Sequence, residues 1–179
     1  MSRLPLVAAD RDDPPVATVF RRFREEGREP IALYRALAHA PELLGPYNDL
    51  AVALRYRART PRALRELVIL RTAQLTRSRY ELAHHLPMAR AAGVAEAKLA
   101  ALERWRTSGE FDERERALLQ CTEELHRCEL SAEAFAALER SFTPAEIIEL
   151  LLVVAFYQAV ARLIAGLGLT IEPEYDRPE

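Results

Sequence analysis

Apolar residues recur along this chain at intervals of three and four, the spacing that places them on one face of a helix. Val16, Val19, Phe20 and Phe23 form such a stripe after Pro14 and Pro15, and Gly27 closes it. Leu33 and Leu37 mark a second short helix, and Pro41 opens a third that carries Leu44, Leu50 and Leu54. Thr60 as a cap and Pro61 in the first turn predict a helix through RALRELVILRTAQL to about Arg77. The next helix covers Tyr80–Ala92 and stops at Gly93, with Pro87 inside it removing a backbone donor and predicting a kink. Another follows near Glu96–Trp105. Asp112 with Glu115 forms a capping box before the stripe Leu118, Cys121, Leu125 and Cys128, and Ser131 starts a short helix with Phe135 and Leu138. The last start signal is TPAE, Thr143–Glu146, ahead of a stretch apolar on nearly all sides from Ile147 to Leu167. Such a helix belongs in a core or a subunit interface. No segment alternates with period two, and no Asn-Gly hairpin turn occurs. The pattern predicts an all-α chain of about eight helices, a single domain over 1–179 with arms at about 1–12 and 170–179.

Composition narrows the partners. With 25 basic against 27 acidic residues, there is no electrostatic reason to expect nucleic acid or an anionic membrane surface. The N-terminal MSRLPLVAAD lacks the apolar core of a signal peptide. The most apolar run, Leu150–Ala161, falls short of the roughly 20 residues a bilayer span needs. The expectation is a soluble, cytoplasmic protein. Cys121 and Cys128, on one predicted helix, would lie about 10 Å apart. A disulfide requires Cα atoms within ~7 Å, so both are read as buried thiols.

Chemistry concentrates in SRYELAHHLP, Ser78–Pro87, which holds half of the four histidines. Glu81 and His85 are four apart and share a helix face, as do Tyr80 and His84. A carboxylate beside an imidazole selects which ring nitrogen carries the proton, which is acid–base equipment. The same pair on an exposed helix would be only a salt link worth a few tenths of a kcal/mol. His84 and His85 are turned by about 100° from each other and make poor joint metal ligands. Glu81 and His85 offer two ligands where a catalytic zinc has three, so no metal is expected.

The segment Thr60–Gly93, through RELVILRTAQL, YELAHH and AAG, resembles the core motif of the carboxymuconolactone decarboxylase and alkylhydroperoxidase D superfamily. The similarity continues through LYRALAHAPELL before it and FYQAVARLIAGLG after it. The resemblance implies an alkylhydroperoxidase D-like helical bundle. In the peroxidase branch a glutamate, a Cys-x-x-Cys pair and a histidine form a proton relay to the thiols. Here those positions hold Glu66, then Ser78 and Glu81, then His85. Both relay ends are present and both sulfurs are absent. Serine and glutamate cannot form a redox disulfide, so dithiol peroxidase activity is not expected.

The resemblance then points to the decarboxylase side, whose members use no cofactor and act on a carboxylated lactone. By that reading His85, Glu81 and Glu66 are the acid–base residues and Ser78, Tyr80 and His84 bind substrate. Arg71 is a possible carboxylate anchor. A small-molecule substrate and a homo-oligomer, trimer or hexamer, are implied. Two other readings stand beside it: a helical small-molecule-binding oligomer without catalysis, and a thiol oxidoreductase using Cys121 or Cys128. A plain antiparallel pairing of the two central helices would set Glu66 opposite residue 91, so a meeting with His85 requires a steep crossing, a kink or a neighbouring subunit.

Overall fold

A computed structural model of the protein describes residues 2–176. Those residues form nine α-helices and no strand: α1 (Pro14–Glu25), α2 (Ala32–Leu37), α3 (Pro41–Val52), α4 (Arg62–Leu75), α5 (Arg79–Ala91), α6 (Glu96–Ala101), α7 (Glu113–His126), α8 (Ala132–Ser141) and α9 (Pro144–Leu167). A π-helical turn, Ala53–Arg57, follows α3, and a 3-10 turn, Leu102–Arg104, follows α6. The chain divides into two compact units. One holds residues up to 53 with those from 163 onward, and the other holds 54–162.

In the first unit α1 lies on α3, with Val16, Val19, Phe20 and Leu44 buried. The segments expected as arms are tied into it. The Arg3 N–H donates to the Leu167 carbonyl at 2.8 Å, and the Ala32 N–H donates to Glu172 Oε1 at 2.6 Å. Residues 177–179 of the expected C-terminal arm lie outside the described residues.

The second unit is built around α4, which packs against α5 and α7. Its core joins Leu67, Val68, Ile69 and Leu70 to Leu118 and Leu119 of α7 and to Leu150, Val153 and Val154 of α9. Every residue from Leu64 to Leu70 is buried, so α4 is enclosed on all sides. That enclosure traps two charged side chains, Arg65 and Glu66, which then require partners. Thr60 does not cap α4 as its sequence suggests. Pro61 takes the N-cap position, and the N–H groups of Arg59 and Thr60 donate to the two oxygens of Glu149, at 2.8 and 2.9 Å. A carboxylate from α9 thus holds the two residues that lead into α4. The capping box of α7 forms as read: Glu115 N–H donates to Asp112 Oδ1 at 2.8 Å, and Asp112 N–H donates to Glu115 Oε2 at 3.1 Å. Asp112→Ala is expected to cost about 1 kcal/mol in a urea titration; an unchanged midpoint would show that the box contributes nothing.

Two expectations are corrected here. Cys121 is buried, but Cys128 is exposed, because α7 ends at His126 and Cys128 sits beyond it at φ +58°. And α9 is 24 residues long, twice the apolar run read from the sequence, so by length and composition alone it could cross a membrane. Half of its most apolar window is buried; the outer face leaves Ile148 57% and Leu152 45% exposed.

Candidate active site

The link between α4 and α5 decides what their side chains can reach. α4 ends in a Schellman arrangement, with Ser78 N–H donating to the Ala73 carbonyl and Arg77 N–H to the Gln74 carbonyl. Arg77 takes the left-handed conformation, φ +54°, and Ser78 caps α5 at once, its Oγ accepting the Glu81 N–H at 3.3 Å. The reversal is thus centred on residue 77 and sets residue 66 opposite residue 88, not 91. His85 lies three residues nearer the turn, about 4.5 Å along the axis, which the two side chains span. α5 continues as a helix through Pro87. No partner subunit is involved in the meeting of Glu66 with His85.

That meeting is close and buried. His85 Nδ1 is 2.8 Å from Glu66 Oε2, and Glu66 is fully buried. Glu66 Oε1 accepts from Arg62 Nε at 2.6 Å and also pairs with Arg62 Nη2. Burial pushes the Glu66 carboxyl up. The hydrogen bond and charge of His85, together with the Arg62 guanidinium, outweigh that and hold it below its ordinary value. An ionised Glu66 can only accept, so Nδ1 carries a hydrogen, and Nε2 is the nitrogen whose proton can come and go.

Nε2 faces Glu81, whose Oε2 lies 3.6 Å away. Glu81 is 4% exposed, and that oxygen is buried without a hydrogen-bond partner. Burial raises its carboxyl; the charges of His85, His84 and Arg55 only partly offset this, and Glu66 adds to the rise. The two glutamates of the site are therefore driven in opposite directions, the arrangement that separates an acid from a base. Tyr157 of α9 stands edge-on to the His85 ring, centroids 5.0 Å apart, and burial raises its phenol as well.

The shift at Glu81 has a sign that can be measured. Its folded value lies above the ordinary 4.5, so the unfolded chain gives up this proton first. Glu81 therefore costs stability progressively as pH rises from about 4.5 through the folded value. Glu81→Gln, which has the shape of the neutral acid, is expected to match the wild type near about pH 4 and to become the more stable protein as pH rises. Urea midpoints across pH test this; a difference that does not change with pH would mean Glu81 is not held protonated.

The remaining sequence candidates are also placed. Ser78 is buried, and its hydroxyl oxygen is occupied in capping α5. Tyr80 and His84 are buried and stacked, centroids 4.4 Å apart at 28°. Arg71 is not available as a carboxylate anchor: its guanidinium is bound to Glu123 Oε1 at 2.5 and 3.0 Å and to Gln74. Sequence reasoning missed Arg62, Tyr157 and the π-helical turn. Arg62 lies four residues before Glu66, so helical spacing could have shown it. Tyr157 carries no local signal. The carbonyl of Arg55, in the π turn, accepts from Arg62 Nη1 at 2.7 Å and Arg65 Nη2 at 2.9 Å, which locks both guanidinium groups. Among the described residues no cluster of three or more His, Cys, Asp or Glu side chains is arranged to hold a metal.

An all-α unit with an enclosed glutamate–histidine pair bridging two antiparallel helices defines a class, and comparison places it. Residues 41–124 match the model of the carboxymuconolactone decarboxylase family, and the fold is the alkylhydroperoxidase D-like one. The debrominase Bmp8 is 22% identical, with 97% of this chain and 94% of that one covered at a TM-score of 0.83. A cysteine-to-alanine variant of it, in complex with 2,3,4-tribromopyrrole, is likewise 22% identical, with 98% and 96% covered at 0.82. An uncharacterised peroxidase-related protein from Ralstonia eutropha JMP134, with an alkylhydroperoxidase AhpD core, is 19% identical, with 97% and 94% covered at 0.79. At these identities the structures establish the shared fold alone. No curated protein matches the sequence.

Proposed function

We propose that this protein is a cofactor-free acid–base enzyme of the decarboxylase branch, acting on a small lactone, carbonyl or carboxylate compound. The observation that carries the proposal is the line Arg62–Glu66–His85–Glu81, buried from Glu66 onward, which orients the imidazole and aims Nε2 at a carboxyl group. In loss of carbon dioxide from an unsaturated lactone, the C–C bond to the carboxylate breaks and its electron pair enters the conjugated carbonyl. A proton must then be delivered to carbon, and in this reading the His85–Glu81 pair delivers it. That a debrominase of this fold is known with a tribromopyrrole supports a small ring as ligand.

Thiol chemistry is not supported. The motif positions are Ser78 and Glu81, and burial pushes the Cys121 thiol up to about 12, far from a thiolate at neutral pH. Exposed Ile148 and Leu152 on α9 favour a homo-oligomer, to be checked by light scattering. The functional test is carbon dioxide release from small carboxylated unsaturated lactones. Release that depends on His85 supports the reading. Turnover that depends on Cys121 instead, or peroxide consumption lost in Cys121→Ser, would replace it with the thiol reading.

A further inference from the structure

The position where the peroxidase branch carries its second cysteine holds a carboxyl group here, and its surroundings differ from those of an ordinary ion-pair partner. Glu81 Oε2 has no donor within hydrogen-bond reach, although it is buried. The groups facing Glu81 come from four elements: His84 and His85 on α5, Glu66 on α4, Arg55 on the π turn and Tyr157 on α9. Arg62 is committed to Glu66 and to the Arg55 carbonyl. A bare carboxylate oxygen in such a place would forfeit its hydration and gain no hydrogen bond in return. A carboxylic acid needs no such compensation, and its O–H can turn towards Nε2, 3.6 Å away.

We infer that Glu81 holds the site's acidic proton at rest, that His85 Nε2 is the base beside it, and that the pair enolises small carbonyl compounds. This deepens the acid–base reading and rests on it. It reverses the simplest assignment, in which the imidazole is the acid and Glu81 only tunes it. A substrate with a C–H next to a carbonyl then meets a base and an acid side by side. The C–H bond breaks, its proton goes to His85 Nε2, and the electron pair forms the C=C bond. The carbonyl oxygen takes the proton of Glu81. Imidazolium and carboxylate are left 3.6 Å apart as an ion pair, and transfer of one proton between them restores the resting state. Returning the proton to a different carbon gives a double-bond isomer; returning it to the same carbon gives solvent exchange.

The test has two arms. In the first, infrared spectra of the whole protein at neutral pH are expected to show a protonated-carboxyl stretch that shifts in deuterium oxide and disappears in Glu81→Gln. A carbon-13 NMR titration of the glutamate carboxyls in the wild type reads the same proton without any substitution. No protonated carboxyl at neutral pH, or one that persists in Glu81→Gln, overturns the inference. In the second arm, α-angelica lactone and cyclopentanone are incubated in deuterium oxide and loss of their α-protons is followed by proton NMR. Acceleration over buffer that falls about 10²–10⁴-fold in Glu81→Gln and in His85→Gln is expected. No acceleration with either probe overturns the enolisation step. Decarboxylation that needs His85 but survives Glu81→Gln overturns this inference and leaves the acid–base reading intact. Turnover indifferent to His85 removes the reading itself.

Discussion

Replacing Glu66 by glutamine is expected to destabilise the protein by about 3–5 kcal/mol, the cost of breaking a buried charge pair from one side. Glu66 has no exposed surface, and its two oxygens serve two donors, Arg62 on one side and His85 Nδ1–H on the other. A glutamine has one acceptor oxygen and one NH₂ group. Whichever way it turns, the NH₂ faces a donor, and Arg62 is left with a neutral partner in a site only 23% open at its own side chain. The carboxylate also ties stability to pH. Because its folded value is lowered, its contribution is present above the ordinary 4.5 and is lost as pH falls through the folded value. Urea titration at neutral pH measures the loss, and the gap between wild type and variant should close in acid. A cost under about 1 kcal/mol would place the pair among exposed ion links and remove the rigid frame from the site.

His85→Ala is expected to lower turnover of any substrate by about 10²–10⁴-fold, the usual share of a positioned acid–base group. The loss should appear in kcat more than in KM, since the ring acts on the reacting proton and not on the body of the substrate. The fold should survive, because Glu66 keeps Arg62 and α5 keeps its Ser78 cap. Circular dichroism and a urea titration separate that outcome from unfolding. His85→Asn, which can still donate one hydrogen bond to Glu66 but has no basic nitrogen, should be as inactive and more stable. Near wild-type activity in both variants would mean that the imidazole moves no proton in the reaction.

The elements of the site were unequally visible in the amino-acid order. Glu81 and His85 are a four-residue pair, so any helix brings them to one face, and 3.6 Å is what that spacing allows. Arg62 and Glu66 obey the same rule and could have been paired by it. The link from Glu66 to His85 was expected only through the family resemblance, because helix periodicity says nothing about how two helices are set against each other. A reversal centred about one and a half residues too late along the chain moved the expected partner from 88 to 91. Thr60 shows the converse: its cap signal is local, but Pro61 takes the N-cap position and the Thr60 N–H is held by Glu149 from a distant part of the chain.

Helix number, the α7 and α9 start signals and the Glu81–His85 pair are local matters, set within a few residues by spacing, capping groups and proline, and they can be read from the chain without coordinates. Burial is not local. Whether Glu81 keeps its proton, whether Glu66 is ionised and whether Tyr157 stands against the ring depend on how α4 is enclosed by α5, α7 and α9. The energy of a charge depends on the medium around it, and residues distant in the chain supply that medium.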